Sequence, residues 1–205
     1  WQHNKWSFSP ENVHLALKNY KVVDAGKENI ADRSAYVMKL IPKKSGNPSQ
    51  TIWIDDTYFL VLKSELRNSS GVAVSTSAFK SIVFEPKDIT DVAFTVPTDV
   101  KRPNSPVPDL GFTIVKPKYV PKGYTFVQTS TVPIGKIYAA HLMYTNGINT
   151  ISIFERKRGP KGSDDWKAGL GDVAKVIRFD YGQITFTIIG DIDKRELQKI
   201  ADSLK

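Results

Sequence analysis

Ala35-Tyr-Val-Met-Lys-Leu-Ile41, Thr51-Ile-Trp-Ile-Asp55 and Tyr58-Phe-Leu-Val-Leu-Lys-Ser-Glu-Leu66 decide the fold. These three runs, and a fourth over 72–84, are broken only by turn chemistry at 42–50, at Asp55-Asp56-Thr57 and at Asn68-Ser-Ser-Gly71. Apolar and alternating runs of this length between such breaks predict an antiparallel meander. In the third run Tyr58, Leu60, Leu62, Ser64 and Leu66 fall on one face of an extended strand, with Phe59, Val61, Lys63, Glu65 and Arg67 on the other. The first face is the more apolar. It is therefore expected to be a core or a groove, covered by a helix, by another sheet or by a ligand.

Upstream, Ser9-Pro10-Glu11 reads as a helix start, with Ser9 as cap and Pro10 in the first turn, and Val13, Leu15, Ala16 and Leu17 following to an end near Asn19. Tyr20-Lys-Val-Val23 reads as a strand and 25–33 as a polar turn region. Trp1, Trp6 and Phe8 precede the helix and are expected to pack against the sheet or to form an aromatic lip. Downstream, four prolines between Pro97 and Pro108 mark a semi-extended linker over 98–111. It separates a domain at 1–97 from one at 112–205.

The second domain is expected to hold five or six strands and one helix. Runs at 112–115 and 125–131 lead to a pair at 138–144 and 148–154 around Asn146-Gly147, a dipeptide suited to a type I′ turn because both central residues must take positive φ. Another hairpin is expected at 173–179 and 183–189 around Tyr181-Gly182. Asp193, with Glu196 three residues on, reads as a capping box opening a helix whose stripe is Leu197, Ile200, Ala201 and Leu204.

Several of these segments carry a resemblance. Asn19-Tyr-Lys-Val22, Ala35-Tyr-Val-Met-Lys-Leu-Ile-Pro42, Ile52-Trp-Ile-Asp55, Leu62-Lys-Ser-Glu-Leu66, Phe79-Lys-Ser-Ile-Val-Phe84 and Phe94-Thr-Val-Pro97 resemble the second half of the N-terminal domain of MucB/RseB sigma-factor regulatory proteins. Pro121-Lys-Gly-Tyr124, Leu142-Met-Tyr-Thr-Asn-Gly147 and Ser152-Ile-Phe-Glu155 resemble their smaller C-terminal domain. The resemblance implies an α+β protein: a curved antiparallel sheet, part of a LolA-like half-barrel, then a smaller α+β domain with an antiparallel sheet and a C-terminal helix. It also implies further half-barrel strands before the first helix, so an open sheet edge and self-association through it are expected.

Composition limits the chemistry. With 205 residues, 40% of them hydrophobic, the chain can bury cores, and without cysteine it has neither disulfides nor thiol chemistry. His3, His14 and His141 are scattered, so no metal site is expected. No run of about 18 apolar residues predicts a membrane span. The net charge of +8 is uneven: 12 Lys and Arg face 10 Asp and Glu up to Pro97, and 17 face 11 beyond it. Such a field favours anionic partners. No nucleic-acid recognition module accompanies it, so nucleic acid is not an expected partner.

No catalytic constellation can be assembled. Asp55-Asp56 suits a turn, Gly71 and Gly135 frame no serine elbow, Gly159-Pro-Lys-Gly-Ser163 lacks the spacing of a phosphate loop, and His141 has no evident acid–base partner. No catalytic residue, metal or cofactor is therefore assigned. The candidate ligand groove comprises Trp53, Tyr58, Leu60 and Leu62. The candidate partner contacts are Arg156, Lys157, Arg158 and Lys161, a basic run broken by glycines and proline that reads as an exposed loop. The resemblance implies a non-enzymatic, extracytoplasmic protein that binds the extracytoplasmic segment of a membrane anti-sigma factor, with a lipid or acyl chain in the half-barrel as a sensed ligand. The alternative is a LolA-like lipid carrier without a signalling role.

Overall fold

The computed structural model describes residues 10–85, 109–134, 137–159 and 175–205. The expected Ser9 cap, the aromatic residues Trp1, Trp6 and Phe8, most of the proline-rich linker and Lys161 lie outside the described residues. Helix α1 (Pro10–Asn19) runs straight into β1 (Tyr20–Ile30), followed by β2 (Arg33–Pro42), β3 (Ser49–Asp55), β4 (Val61–Arg67) and β5 (Ala73–Ala78). These five strands form one antiparallel sheet in sequential order, the expected meander.

Two features of this sheet depart from the sequence reading. First, β1 continues through the supposed turn region to Ile30. A bulge between Asp24 and Lys27, with Gly26 at φ +89° and its amide bonded to Asp24 Oδ1 at 2.8 Å, absorbs the polar stretch without ending the ladder. The chain then reverses at Ala31-Asp32, with φ of 52° and 61°. Positive φ at both central positions is the signature of a type I′ turn, here built from two non-glycine residues.

Second, β4 begins at Val61, not Tyr58. Phe59 takes φ +56°, its amide donates to the Asp55 carbonyl at 3.1 Å, and the Asp55 amide donates to the Leu60 carbonyl at 2.8 Å. This closed loop breaks the alternation assumed for the third run, so Tyr58 and Leu60 do not continue the face that carries Leu62.

The second sheet contains β6 (Thr125–Ile134), β7 (Ile137–Thr145), β8 (Thr150–Lys157), β9 (Lys175–Tyr181) and β10 (Ile184–Gly190), in the order β6-β7-β8-β10-β9. Residues 112–115 are not a strand; Leu110, Phe112 and Ile114 instead cross over the core of this sheet. Helix α2 (Lys194–Ser203) follows, and Leu197, Ile200, Ala201 and Leu204 close over Leu142, Tyr144, Ile151, Ile153, Phe186 and Ile188. Asp193 caps it as read, its Oδ1 accepting from the Arg195 amide at 2.8 Å. Glu196 does not complete a capping box. It accepts instead from the Tyr119 hydroxyl and from Lys199 Nζ, while the Asp193 amide donates to Gly46 of the first sheet's β2–β3 loop at 3.3 Å.

The Asn146-Gly147 signal also resolves differently. β7 and β8 are joined by four residues, 146–149, and of these only Gly147, at φ +95°, has positive φ. Asn146 Oδ1 accepts from the Ile148 and Asn149 amides at 3.0 and 2.8 Å, which folds the loop around its own side chain. A Cβ on Gly147 would lie 2.3 Å from the Ala16 amide nitrogen, so α1 rests directly on this loop. The Tyr20 hydroxyl accepts from Asn146 Nδ2 and Asn149 Nδ2 at 2.9 and 3.0 Å, and Asn19 Nδ2 donates to the Gly123 and Asn146 carbonyls. The joint between the two sheets is thus a buried polar network organised by the loop that sequence alone reads as a simple hairpin turn.

Candidate apolar binding face

Cross-strand partners in an antiparallel ladder share a face, so the register assigns every side chain of the first sheet. One face carries Ala35, Val37 and Trp53, which are buried with Leu62 beneath Ile30 and Ile82. A bulge at Trp53/Ile54 turns both Leu62 and Lys63 toward Trp53, with Lys63 Nζ 4.1 Å from the ring centroid. Trp53 Nε1 donates to Glu28 Oε2 at 2.8 Å. Two of the four groove residues expected from sequence, Trp53 and Leu62, are therefore core residues.

The opposite face is apolar as well, and it is less covered. It consists of three transverse rows: Tyr36, Ile54 and Val61; Met38, Ile52 and Ser64; and Val22, Leu40, Gln50 and Leu66. Tyr36 and Val22 remain 37% and 38% exposed, and the other apolar members are half-buried. Lys27 Nζ sits 4.4 Å over the Tyr36 ring at one end. At the other end Gln50 is buried and its Nε2 has no hydrogen-bond partner. The signal for this face was present in the sequence, because Tyr36-x-Met38-x-Leu40 and Ile52-x-Ile54 alternate out of phase with Val37 and Trp53. Strands apolar on both faces must be covered on both.

Tyr58 and Leu60, the other two expected groove residues, stand at the sheet's rim beside Phe59, which is 73% exposed. The loop is rigidly based. Asp55 is fully buried, paired with the Arg33 guanidinium, and its Oδ1 accepts from the Thr57 and Tyr58 amides at 3.0 and 2.7 Å. The Arg33 bond, joined by these amides, holds its carboxyl well below the usual carboxylate range. Tyr58 stacks on Phe84 at 3.9 Å, with Arg33 over both rings. Asp56 bonds Lys27 at 3.0 Å. The acidic pair is a turn device, in keeping with its sequence reading.

The basic run is not one exposed loop. Arg156 and Lys157 are the last residues of β8, and Arg156 is buried while Lys157 and Arg158 are exposed. Arg158 Nε pairs with Asp180 Oδ2 at 3.0 Å. Successive residues on a strand point to opposite faces, so these cations do not form a single patch. His141 stacks on Phe154 at 4.3 Å and its Nε2 lies 2.9 Å from Ser152 Oγ; burial lowers its pKa. Among the described residues no group of three or more His, Cys, Asp or Glu side chains could hold a metal ion, and no helix is long and apolar enough to cross a membrane.

Residues 6–101 match the MucB/RseB N-terminal domain. The sigma-E factor regulatory protein RseB of Escherichia coli K12 is 23% identical over 193 residues, covering 91% of this chain and 59% of its own length. An uncharacterised protein of Methanocaldococcus jannaschii is 26% identical over 230 residues, covering 94% of this chain and 64% of its own. A crystal structure of MucB in complex with MucA(peri) superposes with a TM-score of 0.67 at 18% identity, over 97% of this chain and 71% of that one. The chain thus spans about three-fifths of the length of the RseB proteins it matches.

Proposed function

Because residues 6–101 match the MucB/RseB N-terminal domain, we propose that the chain is a non-enzymatic, extracytoplasmic regulatory protein that binds the extracytoplasmic segment of a membrane anti-sigma factor and senses an acyl chain on its first sheet. The observation that carries the lipid part is the half-exposed apolar face of Val22, Tyr36, Met38, Leu40, Ile52, Ile54 and Val61. Burying apolar surface stabilises a complex by about 25 cal/mol per Å², and an acyl chain is uniform enough to lie across rows of mixed aliphatic side chains. The structure of MucB with MucA(peri) supports the protein-partner part by analogy of fold.

Regulation needs two states that bind the partner with different affinity, since a ligand shifts an equilibrium only by its differential binding. The joint at Tyr20, Asn146 and Asn149 connects the apolar sheet to the second one, so an acyl chain near Val22 and Gln50 lies within reach of it. Lys157 and Arg158 are the proposed contacts for acidic side chains of the partner.

The full-length protein tests this reading by affinity capture from envelope extracts. Recovery of a single-pass anti-sigma factor, lost on Arg158→Glu, supports it. Acyl chains that copurify with the wild type but not with Met38→Glu support the ligand face. Acyl chains without any anti-sigma factor would favour the carrier reading and overturn the signalling one.

A further inference from the structure

Among the described residues the two sheets present four edge strands, and three of them are protected against pairing with another chain. β1 carries Lys21, Asp24, Lys27 and Glu28; β9 carries Lys175, Arg178 and Asp180; β5 is only six residues long. Charged side chains and short length are the usual devices that keep an exposed row of backbone donors and acceptors from recruiting a strand. β6 has neither. It is ten residues long and reads Thr-Phe-Val-Gln-Thr-Ser-Thr-Val-Pro-Ile, without one charge. Residues 125–129 are exposed, with Phe126 and Val127 at 43% and 45%, and among the described residues only β7 pairs with it. Its irregularities sit near its ends, a bulge between Phe126 and Gln128 and a proline at 133, leaving 128–132 as a regular stretch.

We propose that the free edge of β6 accepts an extended, acidic segment of another protein as a sixth strand of the second sheet. Strand addition uses backbone hydrogen bonds for affinity and alternate side chains for specificity. The uncharged Gln-Thr-Ser-Thr-Val stretch at 128–132 neither repels a neighbour nor demands a particular partner side chain. The acidic character follows from the surroundings. Lys116 Nζ lies 4.4 Å over the Phe126 ring at the start of the strand, and the half of the chain from Thr98 carries 17 basic against 11 acidic residues. The edge begins beside the joint, since Asn19 of α1 donates to the Gly123 carbonyl at 2.8 Å. A segment seated there would therefore run away from the first sheet. This site is separate from the apolar face and stands whether or not that face binds lipid.

The test uses an octapeptide of alternating valine and threonine with a glutamate at each end, added to the whole chain while amide hydrogen exchange is followed by NMR. Two further versions carry N-methyl groups on one or the other set of alternate amides, because in a strand successive amides point to opposite sides. The unmodified peptide and one methylated isomer should slow exchange at 128–132 by about tenfold at millimolar concentration, and the other isomer should not. Lys116→Glu should shift the preference to a lysine-ended peptide. Absence of slowing at β6, or equal slowing by both methylated isomers, overturns strand addition; an unaltered preference in Lys116→Glu overturns the acidic assignment.

Discussion

Each sheet has five antiparallel strands and apolar residues on the face it must cover, yet the two cover them with different means. The second sheet closes on itself: α2 and the crossing segment at 110–120 bury thirteen residues, from Tyr124 to Leu204, in one cluster. Among the described residues the apolar cluster of the first sheet holds four buried residues, and its other face keeps three apolar rows half-exposed. An amphipathic helix gives the second sheet its own lid, and among the described residues no helix lies over the three half-exposed rows of the first. Among the described residues, the difference puts most of the buried core in the second sheet and leaves on the first the apolar face proposed above as the ligand face.

Core truncation should separate the two most strongly. Phe186→Ala empties space among Phe179, Glu155 and the α2 side chains and should cost about 3–5 kcal/mol in urea denaturation. Ile52→Ala, on the half-exposed rows, should cost about 1 kcal/mol, because much of its surface is wet in both states. Equal losses at the two positions would mean that the first sheet is as fully covered as the second, and the contrast would be gone.

The second core also contains a buried carboxyl that is only half satisfied. Glu155 is fully buried among Ala140 and Phe186, with Oε2 accepting from the Val115 amide at 3.0 Å and Oε1 without a partner. Burial raises its pKa from 4.5 to about 7, with the Val115 bond opposing this. A carboxyl that holds its proton more tightly when folded contributes full stability below the unfolded value near 4.5 and loses it as pH rises to about 7. The decline across that window should reach about 3 kcal/mol. Glu155→Gln should flatten this dependence, measured by thermal melts at pH 4.5 and 7.5. A wild-type profile already flat between these values would show the carboxylate to be solvated in the folded chain.

Coupling between the sheets rests on Tyr20. Tyr20→Phe leaves the Asn146 and Asn149 amide groups without their shared acceptor in a buried site, a loss of about 2 kcal/mol. Burial pushes the phenol pKa up to about 12, opposed by the two asparagine bonds, so the hydroxyl is neutral at every physiological pH. The sharper readout is cooperativity. If the network joins the sheets, the variant should unfold in two steps where the parent unfolds in one. A single transition in both would make the joint incidental.

Legibility differed between the regions in the same sense. The second sheet's pairs at 138–144 and 183–189, the Asp193 cap and the Leu197 stripe could be read because each is a local period or a local hydrogen bond. The first sheet's meander was equally plain. The groove assigned to Tyr58, Leu60 and Leu62 was misplaced because one residue, Phe59 in the left-handed region, breaks their phase, although Tyr36-x-Met38-x-Leu40 and Ile52-x-Ile54 already marked the opposite apolar face. The long-range partners of Asn146 and Tyr20, 126 residues apart, leave no mark in either local stretch.

The two loops with unexpected geometry give the smallest effect and the finest comparison. Asn-Gly is the pair best suited to a type I′ turn, but at 146–147 the asparagine folds a four-residue loop and binds Tyr20, whereas Ala31-Asp32 takes the type I′ shape with an alanine at its first central position and no glycine at its second. Left-handed φ costs an L-residue about 1 kcal/mol, a strain glycine does not feel. Asp32→Gly should therefore raise stability by about 1 kcal/mol and Ala31→Asn by less, while Gly147→Ala, which drives a Cβ into α1, should lower it. If Asp32→Gly were neutral, the flexibility it adds to the unfolded chain would have cancelled the relieved strain. A loss would mean that Asp32 holds the turn through a contact worth more than the strain it bears.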